Sequence, residues 1–311
     1  MIPKRLRIAT RESKLAMWQT EHVAALLRER HPGLEVEIVG MTTKGDRILD
    51  RPLAQVGGKG LFIKELEVAL ADDLADIAVH SMKDVPMELP DGFAMLPFGP
   101  REDARDAFVS IGHTSLAALP AGAVVGTSSL RRECQLRRAY PSLAIKPLRG
   151  NVNTRLAKLE AGDYDAIILA AAGLKRLGFG EVIRELLPLA SALPAIGQGI
   201  LAIEFPAARA DLAGLLAPFV DPAAQAAASA ERALGLVVEG SCEVPLGGHA
   251  TVTGASLAIE GFLGLPDGSR LVRERAEGAT ADAATVGREL GERILARGGR
   301  EVLALLAQPP R

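Results

Sequence analysis

The sequence predicts an α/β protein made of two similar, mostly parallel α/β lobes, a hinge that the chain crosses twice, and a small α+β domain at the C-terminus. Three observations support this fold class. Short apolar strands alternate with capped helices, the same alternation recurs in the middle of the chain, and the pattern changes to one long helix followed by alternating strands after residue 220.

The first βαβ unit lies at the start of the chain. Residues 6–10 form a short apolar strand, and Ser13 is a good N-cap for a helix that runs to about Arg30. The segment His31-Pro32-Gly33 ends this helix, and residues 34–39 alternate between apolar and charged as a second strand.

The same order of elements recurs later. A strand, a helix capped by Ser128 and Ser129, and a second strand are predicted within residues 123–146. A further strand at 164–169 matches the one predicted at 75–79. A repeat in a constant order indicates two similar lobes.

Proline- and glycine-rich segments at 96–100 and 193–199 mark two crossings between the lobes, and a strand at 200–205 would return the chain to the first lobe. Two lobes joined by two crossings form the hinged architecture of periplasmic binding proteins, with the ligand in the cleft. We expect three domains, with the bounds 1–98 together with 200–219, 99–199, and 220–311.

The last of these domains should be α+β. Asp221-Pro222 opens an alanine-rich helix that ends before Gly240. Strands at about 251–265 and 270–275 follow, and a helix from about 281 to 297 closes the chain. Cys242 would lie on the first loop of this domain, outside any regular element.

Composition and charge exclude several classes of protein. The net charge of −2 suggests neither nucleic acid nor membrane as a partner. The longest apolar run, residues 166–174, is far below the ~20 residues that span a bilayer. Two cysteines make no disulfide framework, and no Cys/His spacing predicts a metal site. We expect a cytoplasmic protein, and a monomer because the third domain has no long apolar stripe.

Polar and cationic side chains collect in the loops that follow the predicted strands, where open α/β sheets bind their ligands. Guanidinium groups in such a cleft suit an anion with several carboxylates, although phosphate is a rival. Residues 56–60 do not satisfy the phosphate-loop pattern. These loops contain Thr10, Arg11 and Ser13, then 80–86, 127–132 and 149–155, and finally Lys175 and Arg176.

Asp84 is the conspicuous acid among these cations. Its ordinary role would be an ion pair or a turn cap, and its functional role would be to stabilise a developing positive charge or to transfer a proton. The glycine-punctuated segment 42–60 has the length and composition of a mobile lid.

Six motifs that occur in order along essentially the whole chain resemble those of the porphobilinogen deaminase family, also called hydroxymethylbilane synthases. Ser241 is a mild departure, since many members carry a second glycine there. The motifs are Ile8–Arg11, Val56–Phe62, His80–Pro86, Gly126–Arg132, Leu148–Asn151 and Gly240–Pro245.

The resemblance implies a transferase of tetrapyrrole (heme) biosynthesis. In this family a dipyrromethane cofactor is attached through a thioether to the cysteine at the position of Cys242 and acts as a primer. Porphobilinogen units are added to it one at a time, each with loss of ammonia, and hydrolysis then releases the linear tetrapyrrole hydroxymethylbilane. Each pyrrole carries an acetate and a propionate, which explains a cleft rich in Arg and Lys.

The resemblance also implies a role for individual residues. Asp84 would be the catalytic residue, Cys242 the cofactor anchor, and Cys134 only a packed thiol. Substrate carboxylates would be bound by Arg11, Arg149 and Arg176. Cofactor binding would involve Lys83, Ser13, Thr127, Ser128, Ser129, Arg131, Arg132, Arg155 and Gln198.

Two alternatives stay open at this stage. A two-lobed protein could bind a small polycarboxylate and catalyse nothing, but Asp84 and Cys242 would then have no purpose. An enzyme of another class could use Cys242 as a nucleophile with His249 as its base, although His249 follows two glycines and has no obvious orienting partner.

Overall fold

The computed structural model describes residues 3–43, 45, 63–240 and 244–308, and these residues form three sheets with helices packed against them. The strands are β1 Arg5–Arg11, β2 Glu35–Met41, β3 Ile77–Ser81, β4 Phe93–Phe98, β5 Asp106–Val109, β6 Val124–Gly126, β7 Ala144–Lys146, β8 Ala166–Ala170, β9 Ile183–Leu186, β10 Leu201–Pro206, β11 Leu246–Thr253, β12 Ser256–Gly264 and β13 Leu271–Ala279. The helices are α1 Lys14–Arg30, α2 Lys64–Ala71, α3 Leu130–Ala139, α4 Val152–Glu160, α5 Ala171–Arg176, α6 Ala210–Leu216, α7 Pro222–Val237, α8 Ala283–Ile294 and α9 Arg300–Leu306.

The sheet of the first lobe has the strand order β2-β1-β3-β10-β4. β1 is parallel to β2 and β3, and β10 is antiparallel to its neighbours β3 and β4. The strand predicted at 200–205 therefore joins the first lobe, as β10. α1 begins after Ser13, whose hydroxyl accepts a hydrogen bond from the Ala16 amide, so the predicted N-cap is confirmed.

The sheet of the second lobe repeats this order strand for strand as β7-β6-β8-β5-β9. β5 is the antiparallel strand here, and it occupies the same place as β10 in the first lobe. The first crossing, residues 99–105, leads into β5, and the second, residues 187–200, leads into β10. Each crossing thus delivers the antiparallel strand of the sheet it enters.

The third domain is an antiparallel sheet, β11-β12-β13, packed against α7 and α8. Asp221 caps α7 as predicted, since its carboxylate accepts from the Ala224 amide. β11 begins at Leu246, earlier than the predicted strand. The helix predicted over about 281–297 is confirmed as α8, which ends at Ile294. It does not close the chain, because α9 follows after Gly298, whose φ of 115° separates the two helices.

A buried carboxylate on α7 holds the third domain on the hinge. Glu231 forms a salt bridge with Arg101 of the first crossing and accepts a hydrogen bond from the Gly197 amide of the second crossing at 2.7 Å. It also accepts from the Ala250 amide of β11 at 2.7 Å. One fully buried carboxylate therefore joins both crossings to the domain whose first loop contains Cys242.

We propose the domain bounds 1–98 with 200–219, 99–199, and 220–311, since the strands of each sheet all fall within one of these three sets. Cys242 and nearly all of the predicted lid, residues 42–60, lie outside the described residues. Within the described part of the chain, no helix combines the length and apolar character needed to cross a membrane.

Candidate active site

The segment that carries Lys83 and Asp84 is fixed by the hinge and by the third domain. Met82–Asp84 form one 3₁₀ turn after β3, and the Met82 amide donates to the Ile200 carbonyl at 3.0 Å. From α7, Arg232 Nη2 donates to the carbonyls of Pro86 and Met87 at 2.8 and 2.7 Å. The turn therefore keeps its place relative to elements outside its own lobe.

Lys83 lies among other cations. Its Nζ donates to Gln198 Oε1 at 3.3 Å, and no carboxylate within the described residues forms an ion pair with it. The pKa of Lys83 is lowered to about 8, and burial is the largest cause. The charge of Asp84 opposes this shift, and the charge of Arg132 adds to it. This lysine is thus much closer to losing its proton near neutral pH than an exposed lysine.

Asp106 lies at the centre of the site, and it was missed by the sequence analysis. The carboxylate, 1% exposed, accepts from Arg131 Nη2 at 2.7 Å, from Arg132 Nη2 at 2.8 Å and from Gln198 Nε2 at 2.9 Å. Burial alone would raise the pKa of Asp106, but the charges of Arg131 and Arg132 lower it well below its usual range. An acid that opens an otherwise apolar strand was the signal that could have indicated it.

Arg131 and Arg132, at the start of α3, each form hydrogen bonds on two sides of the guanidinium group and each have a further donor. Arg131 Nη1 donates to the Leu193 carbonyl, and Arg132 Nη1 donates to the Ile168 carbonyl at 2.8 Å. The Nε atoms of both side chains are buried and have no hydrogen-bond partner among the residues that the structure describes. A buried N–H without a partner is costly, so this site is suited to an anionic ligand.

Arg149 and Arg155 lie at the start of α4. Arg155 Nε donates to the Gly150 carbonyl at 2.8 Å. Burial, followed by the charges of Arg132 and Arg149, lowers the pKa of Arg155 to about 10. Gly150 has φ 110°, and a Cβ there would lie 2.7 Å from Thr154 Cγ2, so only glycine fits this turn.

The predicted hydroxyl ligands also hold the backbone in place. Ser13 and Ser129 are N-caps that accept amide hydrogen bonds, and Thr127 Oγ1 accepts from the Ser129 amide at 3.2 Å. Each of these three hydroxyl oxygens therefore accepts a hydrogen bond from a backbone amide. Ser128 Oγ donates to the Leu148 carbonyl and accepts from the Leu148 amide, which uses most of its hydrogen-bonding capacity.

Arg11 and Arg176 lie on opposite lobes. Arg11 ends β1, which runs parallel to β3, so it lies at the same sheet edge as the Asp84 turn. Arg176, at the end of α5, donates to the Gly199 carbonyl at 2.8 Å, and burial lowers its pKa. After burial, the charge of Arg176 is the second cause that lowers the pKa of His22 on α1, so this arginine lies close to the first lobe.

We call Lys83, Arg131, Arg132 and Arg155 the cationic cluster. Asp106 is the carboxylate buried among them, and both of its oxygens are occupied by Arg131, Arg132 and Gln198. Asp84 is exposed, and its charge raises the pKa of both Lys83 and Arg155. The arrangement can therefore bind several carboxylates while it presents one carboxylate of its own to a ligand.

Comparisons with known proteins identify the family to which the chain is similar. A family model described as "Porphobilinogen deaminase, dipyromethane cofactor binding domain" matches residues 6–213, and one described as "Porphobilinogen deaminase, C-terminal domain" matches residues 225–296. A porphobilinogen deaminase from Thiobacillus denitrificans is 58% identical over 301 residues, which cover 97% of this chain and 98% of that protein. One from Chromobacterium violaceum is 56% identical over 304 residues and 98% of each chain.

Among solved structures, the periplasmic aliphatic sulphonate binding protein SsuA from Escherichia coli has a TM-score of 0.42 with 15% sequence identity. The match covers 78% of this chain and 72% of that chain.

Proposed function

This chain belongs to the porphobilinogen deaminase family, and on that premise we propose that it condenses porphobilinogen units on a covalently bound dipyrromethane and releases hydroxymethylbilane by hydrolysis. The family match favours this enzyme over a two-lobed protein that only binds a polycarboxylate. The observation that supports the proposed site best is the cationic cluster with its two buried, unpaired Nε atoms.

The residues of the cluster fit this cofactor. A dipyrromethane carries several carboxylates, and each needs hydrogen-bond donors when it leaves water. Among the described residues, the buried Nε groups of Arg131 and Arg132 have no hydrogen-bond partner, and Lys83 provides an ammonium group without an ion pair. The chemistry of these donors therefore matches the charge of the group.

We assign the binding roles accordingly. Lys83, Arg131, Arg132 and Arg155 would hold the cofactor carboxylates. Arg11, Arg149 and Arg176 would bind those of the incoming porphobilinogen. Hydrogen bonds would be added by Ser13, Thr127, Ser128, Ser129 and Gln198.

When bound, the dipyrromethane would supply a free pyrrole α-carbon at which the first porphobilinogen unit forms its C–C bond, as that unit's C–N bond breaks, ammonia leaves and the α-proton is lost. We propose that Asp84 acts on the incoming unit, because its exposed carboxylate can stabilise the positive charge left when ammonia departs.

Cys242 would be the thioether anchor. It lies outside the described residues, between α7 and β11. Val238, just after the end of α7, and Leu246, the first residue of β11, are both buried in the core of the third domain. Because Glu231 and Arg232 on α7 contact the hinge and the Asp84 segment, the anchor loop starts from a helix that is fixed relative to the active site.

The intact mass of the purified chain tests this proposal. We expect an excess of two linked pyrrole units on the peptide that contains Cys242, and a ladder of one-pyrrole increments after porphobilinogen is added. Cys242→Ser should fold and lack this excess, whereas Cys134→Ser, which changes a fully buried thiol in α3, should keep it. An unmodified wild-type chain that stays unmodified with porphobilinogen would contradict the proposal.

We further propose that the enzyme acts as a cytoplasmic monomer without nucleic-acid or membrane partners. The net charge of −2 and the absence of a membrane-crossing helix from the described residues support this view. Light scattering coupled to size exclusion would reveal a dimer if there is one.

A further inference from the structure

Two arginines of the cationic cluster share one buried acceptor. Arg131 and Arg132 are consecutive in α3, and each points an Nη2 group at a different oxygen of Asp106, at 2.7 and 2.8 Å. Backbone carbonyls bind the Nη1 groups from the other side. Each guanidinium plane is therefore fixed at two of its three nitrogens, and the third, Nε, is the one left buried without a partner among the described residues.

Asp106 also connects this pair to both crossings of the hinge. It is the first residue of β5, directly after the first crossing, and it accepts from Gln198 on the second crossing at 2.9 Å. Gln198 Nε2 also donates to the Ala104 carbonyl at 2.6 Å, and its Oε1 accepts from Lys83 at 3.3 Å. A continuous series of hydrogen bonds thus runs from the second lobe through Asp106 to Lys83 in the first lobe.

A negative charge at this place opposes the binding of an anion. Asp106 is 1% exposed and stays ionised because its arginine partners lower its pKa. A carboxylate among four cations reduces the attraction that the cluster exerts on other carboxylates. Its presence is explained if orienting the two arginines strengthens binding of the anionic ligand more than the negative charge weakens it.

Building on the function proposed above, we propose that Asp106 is a positioning residue for the dipyrromethane. It holds Arg131 and Arg132 so that both present a free donor to the cofactor carboxylates, and through Gln198 it keeps Lys83 beside them. Asp106 itself does not contact the cofactor. Its loss would leave the cluster more positive but less ordered. The change in charge alone predicts faster binding of the anionic cofactor, whereas the loss of orientation predicts slower binding.

The rate of cofactor loading separates the two predictions. Cofactor-free protein, produced in cells that make no porphobilinogen, is mixed with porphobilinogen, and the gain of two pyrrole units is followed by intact mass. We expect Asp106→Asn to load about 10- to 100-fold more slowly than wild type, since small misplacements of charged groups reduce oriented reactions by such factors. Asp103→Asn is the matched control, because Asp103 lies three residues away and pairs with Arg105 and Lys175 outside the cluster.

Melting temperatures of the same cofactor-free samples show whether the effect is one of folding. A purely structural role would lower the melting temperature and leave the loading rate of the folded molecules unchanged, and that result would overturn the proposal. Loading of Asp106→Asn as fast as wild type, or faster, would overturn it as well. If Asp106→Asn does not fold, Asp106→Glu keeps the charge but displaces it by one methylene, and here too slow loading supports the proposal while wild-type loading overturns it. Failure of the wild-type protein to load would instead refute the proposed function.

Discussion

The buried lysine of the cationic cluster should make the stability of the cofactor-free protein depend on alkaline pH. Burial lowers the pKa of Lys83 from 10.5 to about 8 in the folded chain, while the unfolded chain keeps the ordinary value. Between these two pH values the unfolded state binds this proton and the folded state does not. The free energy of unfolding should therefore rise with pH from about 8 to 10.5, and below pH 8 the lysine should destabilise the fold by a constant amount.

The size of this effect follows from the two pKa values. Each unit of difference corresponds to about 1.4 kcal/mol, so Lys83 should contribute a change on the order of 3 kcal/mol across the window. Urea unfolding at several pH values measures it, with Cys242→Ser as the cofactor-free background. Cys242→Ser/Lys83→Met is the control, because it removes this titration and leaves the other titratable side chains in place.

The stability of the background protein should approach that of the control as the pH rises from 8 to 10.5. Parallel pH profiles for the two proteins would show that Lys83 keeps an ordinary pKa, and the account of Lys83 as a desolvated cation would then be wrong.

Two further predictions concern the proposed catalytic role of Asp84 and the hinge. Asp84→Asn should keep the cofactor but lose on the order of 3 kcal/mol of transition-state stabilisation, about 150-fold in kcat, because the carboxylate that stabilises the positive charge left by the departing ammonia is lost. Steady-state turnover measures it with the exposed Glu88→Gln as control, and a near-normal rate for Asp84→Asn would remove Asp84 from the mechanism. Gly199→Ala should lower the melting temperature markedly, since Gly199 has φ 91° and a Cβ there would lie 2.3 Å from the Glu102 carbonyl oxygen. Gly214→Ala, with no atom within 4 Å of the added carbon, should be neutral or slightly stabilising, and equal melting temperatures for the two variants would contradict this account.

The contacts of Glu231 link the third domain, which contains the proposed anchor Cys242, to both crossings of the hinge. Glu231 binds Arg101 and the Gly197 amide, one from each crossing, and lies on the helix that leads to Cys242. Rotation of the lobes would therefore move Glu231 and, with it, the helix that leads to Cys242. The cofactor and the cluster that binds it would in this way keep their relative position.

Local features of the sequence determined most of the fold. Ser13, Ser129 and Asp221 cap helices through hydrogen bonds to amides only three residues away, so their roles can be read from neighbouring residues. The repeat predicted two similar lobes, and proline and glycine marked the crossings. The short helix α9 was not predicted, because the closing helix was expected to end at about Arg297 and only a short segment follows Gly298 and Gly299.

The residues of the site were found partly through the resemblance to a family, but their organisation depends on the tertiary structure. Asp106 lies 25 and 26 residues from its two arginine partners and 92 residues from Gln198. No periodic pattern connects positions so far apart, because they meet only after the second lobe has folded and both crossings have packed together. The sequence by itself determined which residues could bind an anion, through local capping, strand periodicity and charge. Only the folded chain decided which of them bury their charges together, because burial and long-range hydrogen bonds belong to the packed state.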